Sequence, residues 1–174
     1  MRYLTYIAGD WDGDSYAVEQ LYKWKNSSKW TLYFPDAHET RQARDSSLYC
    51  SVKVSLKKRL DESNVFVLIV GDSTNSVTKG GCQLCSSYNS WNSWCARAGR
   101  TIDYRSYVKY ECDEAAKAVQ YGMKIVVLYN STTVDRSKCP ESVRWLGKHV
   151  SMVYRSMDGR YYWDYDTVYS ALIN

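Results

Sequence analysis

Three features of the 174-residue sequence predict an α/β fold with a parallel sheet covered by helices on both faces. Apolar runs of strand length alternate with segments of helical period, and most links between them are short. Two of the runs, residues 65–70 and 125–129, are unbroken by any polar residue. A strand apolar at every position has no solvent face, which is the pattern of a buried parallel strand.

Taken in order, residues 2–8 alternate and end in Gly9-Asp10, a first strand followed by a loop. Asp14 or Ser15 caps a helix running to about Ser28, with Val18, Leu21 and Tyr22 facing inward. Residues 30–34 form a second short strand, ended by Pro35. Asp45-Ser46-Ser47 caps a helix in which Leu48, Val52, Leu56 and Leu60 recur every fourth residue. Residues 65–70 are the third strand, 103–121 a helix closed by Gly122, and 125–129 the fourth strand. The tail adds a short helix at 139–146, a weaker strand at 149–154 and a last helix from about Tyr165. Five strands linked in this way give a flavodoxin-like three-layer sandwich with a five-stranded parallel sheet in the order 2-1-3-4-5. No repeat or Pro-rich linker divides residues 1–174, so a single domain is expected. Its one disproportion is an insertion at about 72–100, rich in Ser, Asn, Gly, Trp and Cys. Structureless loops beyond about 12–15 residues are uncommon, so this is a lid, a partner-binding insertion or plain decoration.

Composition narrows the function classes. Hydrophobic residues at 45% and charged residues at 24% are globular values and exclude wholesale disorder. The start of the chain has no apolar h-region, and the longest apolar run is too short to span a bilayer, so a cytoplasmic protein without a membrane partner is expected. In that compartment the six cysteines are reduced thiols. A net charge of +4, mixed along the chain, gives no nucleic-acid stripe, and the cluster Lys57-Lys58-Arg59 reads as a solvated helix face. Seventeen Tyr and seven Trp against two Phe indicate many positions half packed and half wet, at a core edge or around a shallow cleft.

In such folds ligands bind beyond the carboxyl ends of the strands, which selects the loops at 9–13, 35–45, 71–100 and 130–138. Neither a P-loop nor a dinucleotide glycine fingerprint occurs there, and neither His38 nor His149 has a serine elbow. Cys82-Gln83-Leu84-Cys85 with Cys95 has the spacing of part of a zinc knuckle, but a structural zinc needs four ligands. Asp10, Asp12 and Asp14 after the first strand, with Asp72 after the third, sit where a response-regulator receiver places its acids. The lysine such a receiver needs after strand five is absent. In the helix at 103–121, Val108, Cys112, Ala115, Ala116 and Val119 form one stripe, with Glu111 on its flank beside Tyr104 and Tyr107. Asp113, Glu114 and Lys117 point toward water on this reading. Glu111 is then either a carboxylate paired with a nearby Lys or Arg, or a half-desolvated group. The second kind can stabilise positive charge on a sugar ring as a glycosidic bond breaks.

Several segments together resemble one family. Tyr6-Ile7-Ala8-Gly9-Asp10, Phe34-Pro35-Asp36-Ala37-His38, Arg44-Asp45-Ser46-Ser47, residues 56–63 leading into Val67-Leu68-Ile69-Val70-Gly71, and Tyr107-Val108-Lys109-Tyr110-Glu111 before Ala115-Ala116 are similar to TIR-like proteins of the Thoeris ThsB type. The similarity runs from Arg2 to about Tyr129 and weakens afterward. It implies a flavodoxin-like TIR fold and a bacterial anti-phage role. NAD would be a substrate, cleaved at its nicotinamide bond to a cyclic or modified ADP-ribose signal that activates an effector protein of the ThsA kind. Glu111 stands in the place of the family's catalytic glutamate, and Tyr107 stands where a tryptophan is usual. Ala8, Gly9, Asp10 and Trp11 are expected along one wall of the substrate cleft, with Asp36, His38, Asp45 and Ser46 along the other. For Asp45 and Ser46 helix capping is the competing role. The reaction needs no metal, and a homo-oligomer is compatible with the family. Two rivals remain on the sequence: a non-catalytic TIR interaction module, and an enzyme like the nucleoside deoxyribosyltransferases, which share the layered fold.

Overall fold

A computed structural model describes residues 4–37 and 48–173. The chain runs β1 (Leu4–Ala8), α1 (Ser15–Asn26), α2 (Tyr49–Asp61) and β2 (Ser63–Val70). A small hairpin of β3 (Trp94–Cys95) and β4 (Arg100–Thr101) follows, then α3 (Tyr107–Ala118), β5 (Lys124–Tyr129) and β6 (Lys148–Ser151). A second hairpin, β7 (Val153–Arg155) with β8 (Tyr161–Trp163), leads into α4 (Tyr165–Ile173).

Alternation along the buried strands sorts the core into two faces. Tyr6 and Ala8, Phe66 and Leu68, and Ile125 and Val127 pack against Leu56 and Leu60 of α2 and Val108 and Cys112 of α3. Ile7, Val67, Ile69, Val126 and Leu128 pack the other way, against Val18, Leu21 and Trp24 of α1 and Val168 of α4. Each fully buried aliphatic side chain contributes about 1.5–3 kcal/mol, so neither layer of helices can be removed cheaply.

Among the described residues the sheet has four strands in the order β1-β2-β5-β6, all parallel, one fewer than the sequence predicts. The place beside β1 expected for the second strand is held by an extended segment ending at Ala37. Its Pro35 carbonyl accepts from the Thr5 amide at 2.7 Å, and its Ala37 amide donates to the Thr5 carbonyl at 3.0 Å. The result is a single parallel bridge, Thr5 to Asp36, rather than a ladder. Pro35 interrupts the pairing because it has no amide to donate. The predicted order therefore survives with its edge member reduced to that bridge.

Other boundaries moved for local reasons. The helix predicted from Asp103 starts at Tyr107, because the Ser106 hydroxyl accepts from the Lys109 amide at 3.2 Å and caps it there. The tail helix predicted at 139–146 is replaced by 3-10 turns at Arg136–Lys138 and Glu141–Val143, on either side of Pro140. The strand predicted at 149–154 breaks at buried Met152, whose amide donates to Tyr129 at 2.8 Å and whose carbonyl accepts from Asp164 at 2.7 Å. Beyond that break the chain turns into the hairpin of β7 and β8, which periodicity did not reveal. The insertion carries structure of its own: 3-10 turns at Thr74–Ser76 and Cys82–Leu84 and the hairpin of β3 and β4. Predicted cap positions Asp45 and Ser46 lie outside the described residues.

The strand ends are laced by one buried carboxylate. Asp14, just before α1, makes no side-chain cap; it accepts instead from Asn130 Nδ2 at 3.0 Å and Thr74 Oγ1 at 3.3 Å. Thr74 Oγ1 in turn accepts from the Gly71 amide at 2.8 Å, joining the loops after β1, β2 and β5. A Cβ on Gly71 would lie 1.9 Å from Asp14 Oδ1, so only glycine fits under the carboxylate. Gly71→Ala should therefore cost about 2–4 kcal/mol of stability in denaturant titration. Gly99→Ala should cost only about 1–2 kcal/mol, from backbone strain, because its added methyl meets nothing within 4 Å at a φ of +62°.

Candidate active site

Beyond the carboxyl ends of β1 and β2 lies a cleft of about 530 Å³, open solvent at its mouth included. The loop after β1 supplies Gly9, Asp10, Trp11 and Asp12, and α2 supplies Val52 and Leu56. The insertion contributes Val77 and Lys79, and α3 contributes Tyr107, Val108 and Glu111.

Glu111 reaches the cleft from the second turn of α3. Val108, Cys112 and Ala115 turn to the sheet and are buried, which rotates Glu111 over the strand ends. The residue is only 6% exposed, against the half-buried position the sequence suggested. Its Oε1 accepts from the Tyr6 hydroxyl at 2.5 Å, a buried bond between the first strand and a helix 105 residues later. Buried Arg59 of α2 adds positive charge nearby. Burial raises the Glu111 carboxyl to about 7, with the Tyr6 hydrogen bond and the Arg59 charge both pulling it down. Burial, followed by the Glu111 charge, raises the Tyr6 phenol well above its ordinary range. At neutral pH the carboxylate is thus divided between its two forms, while its partner remains a donor.

The structure brings Gly9, Asp10, Trp11, Tyr107 and Glu111 to this one cleft. The Tyr107 ring meets Tyr49 edge-on at 5.8 Å, and burial raises its phenol. Ala8 is fully buried in the sheet, one residue short of the cleft lining. Asp36 is buried too, accepts from the Tyr22 hydroxyl, and is outside the lining. His38, Asp45 and Ser46 lie outside the described residues. Glu114, read from sequence as pointing to water, is instead half-buried and ion-paired with Lys117 at 2.7 Å and Lys57 of α2 at 3.8 Å. Sequence reasoning missed Tyr6 and Arg59. Each left a signal: a hydroxyl-bearing ring inside an apolar strand, and an arginine next to a core leucine, read there as a solvated face.

Cys82, Cys85 and Cys95 line a second, small apolar pocket together with Cys50 of α2. All six cysteines are free thiols, and among the described residues no three His, Cys, Asp or Glu side chains gather around a metal position. Among those residues, too, no helix is long and apolar enough to cross a membrane.

Residues 3–79 match the family described as Thoeris protein ThsB, TIR-like domain. Over this stretch the chain is similar to the ThsB TIR-like domain. No curated protein matches the chain. The match spans β1, the cleft loop after it, α1, α2, β2 and the first part of the insertion. Tyr107 and Glu111 lie beyond it. Eight of the eleven residues lining the cleft thus fall within the match, and α3 supplies the other three.

A carboxyl raised from 4.5 to about 7 weakens the fold wherever the unfolded chain is already ionised. That penalty is absent below pH 4.5, grows as pH rises, and is complete above pH 7. Glu111→Gln removes the charge, retains an oxygen for Tyr6 and leaves its amide at the cleft. It should stabilise the protein by about 3 kcal/mol at pH 8 and by almost nothing at pH 4. Thermal melts of both proteins across that range are the measurement.

Proposed function

We propose that this cleft cleaves the nicotinamide–ribose bond of NAD and yields an ADP-ribose signal for anti-phage defence. The observation that carries the reading is the buried, neutral-range carboxylate of Glu111 at the floor of a cleft rimmed by Trp11 and Tyr107. The similarity of residues 3–79 to the ThsB TIR-like domain supports it from the walls that face α3.

Nicotinamide in NAD is a pyridinium, so heterolysis returns the bonding pair to its nitrogen and removes that charge. Positive charge then develops across C1′ and the ring oxygen of the ribose. Ionised Glu111 faces that charge from a desolvated position, where electrostatic stabilisation is strongest. Tyr6 holds the carboxylate by its inner oxygen, so it cannot rotate away as charge builds. Capture by water gives ADP-ribose and a proton; capture by a nitrogen or hydroxyl of the same molecule gives a cyclic product. An effector protein of the ThsA kind would read that product, and no metal takes part in these steps.

Nicotinamide release from NAD is the test. Glu111→Gln should lower it by about 100-fold or more while the protein remains folded. With wild type, kcat/KM should rise through an acid limb centred at about pH 7, the value set by burial of Glu111. Tyr6→Phe removes the hydrogen bond that favours the ionised form and should move that limb to higher pH. Equal rates for wild type and Glu111→Gln would overturn the catalytic assignment. Base exchange on deoxynucleosides without NAD cleavage would indicate a deoxyribosyltransferase, and no turnover of either would leave an interaction module.

A further inference from the structure

The charged residues of the cleft are unevenly placed. Asp10, Asp12 and Glu111 are acids, and Lys79 is the one cation among the described residues lining it. Glu111 sits at the floor, whereas Lys79 and Asp12 are exposed at the mouth, their Nζ and Oδ2 atoms 3.1 Å apart. The lysine comes from the insertion and the aspartate from the loop after β1, so the pair spans the opening.

The backbone at Lys79 is fixed. Its carbonyl accepts from the Tyr107 amide at 2.9 Å, at the start of α3. The next residue, Gly80, has a φ of +100°, and a Cβ there would fall 2.5 Å from the Tyr107 ring. The segment therefore lies flat on Tyr107, with the Lys79 side chain reaching along the rim to Asp12.

We propose that Lys79 is the diphosphate-binding residue of this cleft, held by Asp12 until a nucleoside diphosphate displaces the aspartate. The inference rests on the NAD reading of the site and names the residue that selects for the dinucleotide. NAD is positive at its pyridinium and doubly negative at its diphosphate. Glu111 at the floor and Lys79 at the mouth, once Asp12 is displaced from it, complement that order of charges, and the reverse orientation sets the diphosphate against Glu111. An exposed ion pair is worth little, whereas a diphosphate offers Lys79 two charges and several acceptor oxygens. The exchange therefore favours the ligand.

Calorimetric titration of ADP-ribose and of adenosine tests this without requiring turnover. Wild type should bind ADP-ribose more tightly than adenosine, and the difference should shrink as salt is added. Lys79→Gln should weaken ADP-ribose by about tenfold and leave adenosine unchanged, and Lys79→Arg should restore most of the loss. Asp12→Asn should tighten ADP-ribose binding, and most of that gain should vanish in the Lys79→Gln background. Unchanged affinity in Lys79→Gln, or no preference of wild type for ADP-ribose over adenosine, overturns the proposal. So does a gain from Asp12→Asn that is undiminished without Lys79. Diphosphate-selective binding with no nicotinamide release would remove the catalytic reading and leave Lys79 in its role. Nicotinamide release with no effect of Lys79→Gln on affinity would do the opposite.

Discussion

The hydrogen bond from Tyr6 to Glu111 ties the first strand to the helix that closes the cleft. Tyr6 is fixed by its neighbours: it lies in a five-residue strand, stacks on Phe66 at 5.9 Å and is fully buried. A phenol in that position needs an acceptor, because an unpaired hydroxyl in an apolar core costs about 1–3 kcal/mol. Glu111 meets the need, but only if α3 sits with Glu111 over the strand ends. One polar requirement in the core thus sets the rotation of a helix on the surface. The same rotation sends Val108, Cys112 and Ala115 inward, so the polar and apolar demands agree.

That agreement has an energetic cost. A carboxylate raised to about 7 is a strained charge, only partly compensated by Tyr6 and by the positive potential of Arg59. A fold selected for stability alone would place apolar side chains at both positions 6 and 111. Retaining a desolvated acid, with a phenol behind it whose own pKa is also raised so that it stays a donor, is the arrangement expected where charge must be delivered to a reacting atom. The acid pairs outside the cleft differ. Glu114 is paired with Lys117 and Lys57, and Asp113 with Arg105, in ion pairs nearer to solvent.

The layers of the fold were legible in the sequence because they follow from period. Residues 65–70 and 125–129 announce strands buried on both faces, and Leu56 and Leu60 announce the helix that covers one face. What the sequence hid is whatever depends on single polar atoms. Pro35 reduced a predicted strand to a bridge, and Ser106 delayed a helix to Tyr107. Met152 split the last strand by donating sideways to Tyr129. The site divides the same way: Gly9, Asp10 and Trp11 follow from topology, since strand ends define the cleft. Ala8 and Asp36 have neighbouring numbers but buried surroundings, which numbering cannot reveal. Tyr6 and Arg59 act on Glu111 through the third dimension, and no spacing rule connects positions 6, 59 and 111.

The insertion is where these levels meet. Read as sequence it is a polar, cysteine-rich loop; folded, it is bound to the elements that place Glu111. Buried Lys53 of α2 donates to the carbonyls of Asp103 at 3.3 Å and Arg105 at 2.6 Å, holding the exit of the insertion against that helix. The Cys82 amide donates to the Asp103 carbonyl at 2.9 Å, and the Lys79 carbonyl receives the Tyr107 amide. Lys53 itself is charged at the expense of burial, which lowers its pKa, while Asp103 restores part of that loss. Several main-chain groups just before and at the start of α3 are therefore satisfied by the insertion or by α2 rather than by water. Displacing the insertion would orphan them together and loosen the turn that precedes Glu111. Geometry at the carboxylate and geometry at the rim are in this way one quantity, set from inside by Tyr6 and from outside by the segment carrying Lys79.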